Sequence, residues 1–274
     1  MTKKNKSAIQ RRLIPTYIFL IIVSFISVFP LYWMISAATN TSTDVSRGRI
    51  IPGSHFMENF RNLTSQQPLW RALGNSFFYA ILTTVICLLI CSIAGYGFEV
   101  YHDKWKDRVF SILLLAMMVP QVATMVPLFK MFSKAGLLNT AVGFILPIIS
   151  TPFMIMMFRQ NARSFPVDII EAARIDGLNE VRIFFQMFIP TMKSTYAAAA
   201  VITFMNAWNS YLWPKVIMTD NKAMTMPMLI ANLITGYVTD YGMLMLAVLI
   251  CTLPTAVIFF CLQRYLVEGI STSG

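Results

Sequence analysis

The stretch "ALGNSFFYAILTTVICLLICSIAGYGF", residues 72–98, contains no Asp, Glu, Lys, Arg or His. A helix rises about 1.5 Å per residue, so this run reaches roughly 40 Å, against ~30 Å of hydrocarbon in a bilayer. Working outward, five more runs share its character: residues 14–40, 109–129, 135–158, 194–214 and 241–263. Each meets the length of about 20 residues that a helical crossing requires. In water, helices that are apolar all round must be buried under a large polar coat. A chain that is 57% hydrophobic and 12% charged, with a mean hydropathy of +0.63, has too little polar sequence for one. The composition excludes a soluble domain and predicts an all-α, polytopic membrane protein with six transmembrane helices.

The net charge of +10 does not mark a nucleic-acid binder, because the basic residues alternate with the runs rather than forming one patch. With the N-terminus inside, the inner segments hold Lys3, Lys4, Lys6, Arg11 and Arg12, then Lys104, Lys106 and Arg108, then Arg159, Arg163, Arg174, Arg182 and Lys193, then Arg264. The outer segments hold the smaller set Arg47, Arg49, Arg61, Arg71, Lys130, Lys134, Lys215 and Lys222. The positive-inside rule then puts both termini in the cytoplasm. Ser36, Ala37 and Ala38 after the first run imitate a signal-cleavage site, but a signal core is about 7–15 residues and this run is longer. It reads as an uncleaved span. The resulting division is an N-terminal tail at 1–12, a first span at 13–37, an external segment at 38–68, a five-helix domain at 69–265 and a C-terminal tail at 266–274.

Pro30 is expected to kink the first span, while Pro120 and Pro127 in the third run and Pro147 and Pro152 in the fourth free carbonyls at packed or pathway-lining sites. Gly95 and Gly97 are expected to permit close helix contact. Cys87, Cys91, Cys251 and Cys261 lie in apolar runs. The first two stand four apart, too few ligands for a metal, and all four read as buried reduced thiols.

Between the fourth and fifth runs the chain reads "RSFPVDIIEAARIDGLNEVRIFFQMFIP", residues 163–190. Pro166 suits a first helical position, with Ser164 near enough to help cap. Asp168 and Glu171 load the first turns with the negative charge that the helix dipole favours. Gly177 is free to adopt φ > 0 and end the helix. The expected helix, Pro166 to Asp176, is roughly 16 Å long and cannot cross a bilayer. Asn179 caps a second helix, and Pro190 stops or bends it. From these residues alone, a lipid-surface helix, an ordinary loop and a partner-docking element stay open. Ala172 and Ala173 let another surface approach, and Glu171 offers an arginine a bidentate acceptor.

The loop at 164–190 resembles the EAA loop of ATP-binding-cassette (ABC) importer permeases, whose pattern is EAA-x3-G-x9-I-x-L-P. Glu171, Ala172, Ala173, Gly177 and Pro190 stand at the matching positions, with Met187 and Ile189 as apolar departures. "GNSFFYAILTT" (74–84), "NTAVGFILP" (139–147), "WNSYLWP" (208–214) and "QRYLVEGI" (263–270) are similar to the carbohydrate-uptake branch, of the maltose-permease G-subunit type. The resemblance implies a type I ABC importer transmembrane fold over 69–265 and a multi-pass subunit of the bacterial cytoplasmic membrane. It implies a binding-protein-dependent sugar permease whose coupling loop docks in a cleft of a cytoplasmic ATP-binding subunit, with Glu171 meeting a basic residue there. Its implied partners are a second permease forming a heterodimer, two copies of the ATP-binding subunit and an external solute-binding protein. ATP would be bound by those subunits, leaving this chain with no cofactor and no enzymatic site of its own, and the sequence indeed lacks a G-x-x-x-x-G-K-[ST] phosphate loop.

Two rivals come from other classes. An ion-coupled secondary transporter keeps ionisable groups at membrane depth, and none of the six runs has one. A membrane enzyme needs a catalytic constellation, yet His55 and His102 fall in loops on opposite sides. A permease for a non-sugar solute remains the nearer alternative. Asn206, Trp208 and Asn209, at the outer end of the fifth run, are the candidate substrate-pathway residues, although Trp is enriched at membrane interfaces in any case.

Overall fold

A computed structural model describes the backbone of residues 3–235 and 239–271, and the side chains of 14–235, 239–261 and 263. Among the described residues there is helix and no strand. In chain order the helices are α1 (Lys3–Ala38), α2 (Ser42–Ser46), α3 (Phe56–Gln66), α4 (Leu69–Val100), α5 (Lys104–Ala116), α6 (Gln121–Lys134), α7 (Ala141–Ile145) and α8 (Pro152–Ala162). They continue as α9 (Val167–Ile175), α10 (Glu180–Ile183), α11 (Ile189–Thr191), α12 (Lys193–Trp208), α13 (Leu212–Ile217), α14 (Met226–Ile234) and α15 (Tyr241–Ser271). By length and composition, three single helices suffice to cross a membrane: Ile14–Ala38 of α1, α4, and Tyr241–Cys261 of α15.

The third and fourth runs are not the straight rods that their charge-free length suggests. α5 and α6 meet at 100°, and the segment 141–148 meets α8 at 52°. Pro120 ends the first break as the cap of α6, and Pro152 begins α8 after the second. Proline has no amide hydrogen to continue a helical ladder, so the chain turns at these points. The fifth run likewise folds as α12, a bend at 209–211, and α13. By contrast α1 passes through Pro30 as one helix.

The chain forms two compact units. One lies within Met1–Pro68 and Ile230–Thr252. Its polar knot is built by two asparagines: Asn40 donates to the Ser36 and Ile51 carbonyls, each at 2.9 Å, and Asn59 to those of Ala38 and Asn40, each at 3.0 Å. Gly242 lies against this knot, where an added Cβ would sit 2.6 Å from the Asn40 carbonyl oxygen. The apolar side chains of α1 from Ile14 to Leu31 are exposed, as lipid-facing residues are.

The second unit lies within Leu69–Leu229 and Leu253–Gly274. α4 is its axis, and α8 and α12 both pack on it. Gly95 makes the α8 contact: a Cβ there would lie 2.6 Å from the Phe158 Cβ and 2.7 Å from the Arg159 nitrogen. Gly97, expected to share that role, faces open space. Ala198 and Ala199 of α12 are buried, so small residues bring that helix close as well. Cys87, Cys91 and Cys251 are buried, but Cys261 is exposed rather than buried as expected.

Candidate functional site

The loop after α8 folds as two short helices around a turn. Pro166 caps α9 in an extended conformation, and Ser164 does not cap it but donates back to the Asn161 carbonyl at 2.7 Å. Gly177 adopts φ +79°, while its amide donates to the Arg174 carbonyl at 3.1 Å. Asn179 caps α10, accepting from the Arg182 amide at 2.9 Å. The expected helix therefore ends one residue inside each predicted boundary, and both punctuating residues act as expected. After α10 a π-helical turn, Phe184–Phe188, leads into α11 with Pro190 inside it, so helical structure continues past Pro190 rather than stops.

One side of α9 is anchored. Ile170 and Ala173 are buried in an aromatic core with Phe165, Phe184, Phe188 and Tyr96 of α4. Tyr96 meets the Phe188 ring at 4.8 Å and the Phe184 ring at 5.4 Å, so the loop helices rest directly on the end of a long membrane helix. The other side is open. Glu171, Ala172 and Gly177 are exposed, as is Pro190, and Ile175 is 86% exposed. Glu171 has no ion pair among the described residues.

Two charge networks brace this surface, and both join residues far apart in sequence. Arg174 donates to Glu180 at 2.7 Å, and the Tyr101 hydroxyl donates to the other Glu180 oxygen. Arg174 holds the Glu180 carboxyl below the usual carboxylate range, and Glu180 in turn raises Arg174. Partial burial, then Glu180, raises Tyr101. The second network centres on Arg159, which is buried and donates to Glu99 at 3.2 Å and Asp107 at 2.6 Å. Its guanidinium also lies 4.4 Å from the Phe110 ring centre. Arg163 reaches the same Glu99 at 3.4 Å. Nothing in the spacing of these residues announced either network, since Arg159 and Glu99 are 60 positions apart.

A cavity of about 540 Å³ opens where the three broken segments meet. Thr83 and Cys87 of α4, Gln121 at the start of α6, and Thr151 before α8 line it. α12 and the bend after it contribute Thr203, Asn206, Asn209, Tyr211 and Trp213. Irregular backbone at membrane depth is tolerated only where protein buries it or a cavity hydrates it, which accounts for the coincidence of breaks and cavity. Two of the three expected pathway residues, Asn206 and Asn209, are on its wall. Trp208 is not: it is 1% exposed and packs against Phe77 at 4.7 Å and Phe204 at 5.7 Å. Helical spacing explains this, because adjacent positions on α12 point about 100° apart.

Residues 88–272 match a family described as "Binding-protein-dependent transport system inner membrane component". The chain is 40% identical to the lactose transport system permease protein LacG of Rhizobium radiobacter, over 96% of this chain and 97% of that one. It is 35% identical to the arabinooligosaccharides transport system permease protein AraQ of Halalkalibacterium halodurans, over 92% of each. Its fold is similar to that in a crystal structure of a bacterial ABC transporter involved in import of the acidic polysaccharide alginate. That match has a TM-score of 0.82 at 19% identity and covers 97% of this chain and 98% of the other.

Proposed function

The chain belongs to the binding-protein-dependent transport system inner membrane components, and from that premise we propose that α9 is the element through which a cytoplasmic ATP-binding partner drives carbohydrate import. One observation carries this reading. α9 is seated on the membrane helices by Ile170 and Ala173 and presents Glu171, Ala172 and Ile175 outward. A docked partner surface would cover Ile175, which is 86% exposed, and would pair Glu171, which has no ion pair among the described residues. A lipid-surface helix would carry more lysine and arginine than acid on its polar face. Here Asp168, Glu171 and Asp176 outnumber Arg174. Glu171 meets a basic residue of the partner, and the Gly177 turn passes the partner's movement through α10 to the π-helical turn and α12.

The assembly comprises this permease, a second permease, two copies of the ATP-binding subunit and an external solute-binding protein. ATP sits on the ATP-binding subunits. The cargo class follows the relatives named for lactose and arabinooligosaccharides. Both termini face the cytoplasm, in accord with the basic residues of the inner segments.

Co-purification of the ATP-binding subunit tests the docking role. Glu171→Lys places like charges at a packed contact, which costs several kcal/mol, on the order of a hundredfold in association. Glu171→Ala removes attraction without adding repulsion and loses less. A lipid-surface helix would tolerate Glu171→Lys, because anionic headgroups attract the new charge. Retention of the ATP-binding subunit and normal transport by Glu171→Lys contradicts the docking role.

A further inference from the structure

The cavity at the helix breaks has a feature that packing alone does not account for. The Thr83 hydroxyl on α4 and the Thr203 hydroxyl on α12 are both buried, at 1% and 6% exposure, and neither meets a nitrogen or oxygen partner among the described residues. The one contact of the Thr203 hydroxyl is a weak hydrogen bond with the Cys87 thiol, a poor substitute for an oxygen or nitrogen partner. A buried unpaired hydroxyl destabilises a fold unless a ligand or water completes it. Asn206, one turn from Thr203 on the same face of α12, adds an exposed carboxamide that makes no hydrogen bond among the described residues.

The lining is polar without being charged: no Lys, Arg, His, Asp or Glu contributes to it. Hydroxyls and carboxamides both donate and accept, which matches a ligand whose neighbouring hydroxyls do the same. Tyr211 and Trp213 add flat apolar surface, and the Trp213 ring is fixed by its Nε1 donating to the Gly143 carbonyl at 3.1 Å. An anionic solute would find no cation here. The volume of about 540 Å³ lies within the range of small-molecule sites, roughly 300–1,000 Å³.

We propose that this chain itself binds the transported solute in this cavity, and that the solute is uncharged and polyhydroxylated, with Thr83, Thr203 and Asn206 as its hydrogen-bonding contacts. The proposal rests on the permease reading above and adds to it that the pathway's solute contacts are carried by this subunit.

The test uses the complete transporter in liposomes with ATP supplied to the ATP-binding subunits. The probes are lactose and arabinotriose as neutral saccharides and glycerol 3-phosphate as an anion. Thr83→Val with Thr203→Val exchanges two hydroxyls that lack nitrogen or oxygen partners for methyls of the same shape, so assembly and Tm hold or rise. The initial uptake rate of the neutral saccharide falls about tenfold or more, each lost hydrogen bond contributing roughly two- to tenfold. Thr84→Val, whose hydroxyl donates to the Ala80 carbonyl away from the cavity wall, leaves uptake unchanged. Asn206→Leu lowers uptake as the threonine variants do. Wild-type uptake by the double valine variant overturns the proposal, since water alone then completes the hydroxyls. Accumulation of glycerol 3-phosphate and neither saccharide overturns it too. Absence of ATP-dependent uptake of every probe by the unaltered transporter overturns the permease reading beneath it.

Discussion

Arg174 and Glu180 form an ion pair of 2.7 Å that closes the turn at Gly177, tying the end of α9 to the start of α10. Both residues are exposed enough for solvent to screen the pair, so its contribution to global stability is small. Its consequence is geometric: it holds two short helices at a fixed angle that propensity alone would not maintain.

That pair makes the turn sensitive to acid. Glu180 has a depressed carboxyl, so its contribution is present above the ordinary carboxylate range and is lost as pH falls through the lowered value. Amide hydrogen exchange at Gly177 and Leu178 should therefore accelerate at low pH beyond the intrinsic trend. Glu180→Gln should show the accelerated exchange at neutral pH and little further change on acidification. Exchange that is identical in both proteins at every pH contradicts the bracing role.

Gly177 tests the turn by conformation alone. Its φ of +79° disfavours any L residue, yet no atom lies within 4 Å of an added Cβ. The cost of a substitution is thus backbone strain, on the order of 1–2 kcal/mol for a non-glycine in the left-handed region and more for a β-branched one. The expected order of damage to ATP-driven uptake is Gly177→Val worst, Gly177→Ala intermediate and Gly177→Asn mildest. Equal activity of all three shows that the turn need not hold this conformation.

Gly95 and Gly97 separate a packing glycine from an indifferent one. Gly95→Ala forces a methyl to within 2.6 Å of Phe158 and should lower stability by roughly 1–3 kcal/mol, read as a drop in Tm. Gly97→Ala meets nothing and should be neutral or slightly stabilising. The reverse order contradicts the observed seating of α8 on α4.

The runs of α1, α4 and α15 were legible from charge-free length alone, because each forms a single helix long and apolar enough to cross a membrane. The loop's punctuation was legible too: Gly177 and Asn179 act through local backbone chemistry, which a short window of sequence contains. The breaks were not. Pro30 and Pro127 lie inside continuous helices, whereas Pro120 and Pro152 stand at sharp bends. A proline permits a bend, and the surrounding packing decides whether one forms. Arg159 was hidden because its partners, Glu99 and Asp107, come from elements that only the fold brings together. Trp208 was grouped with Asn206 by neighbourhood in sequence, while the helix turns them to different surroundings.

Orientation has its own check. A cysteine at Ser7 should be shielded from an impermeant thiol reagent outside intact cells, and a cysteine at Asn221, which is exposed, should react. Labelling of the Ser7 position from outside contradicts the cytoplasmic N-terminus.

The most direct measurement is solute uptake into proteoliposomes containing the two permeases and the ATP-binding subunits, with ATP and ion gradients varied separately. Uptake should require ATP and the solute-binding protein, and should stop when the ATP-binding subunits are omitted, whatever pH or sodium gradient is imposed. Accumulation driven by either gradient without those subunits would contradict an import pathway driven through α9.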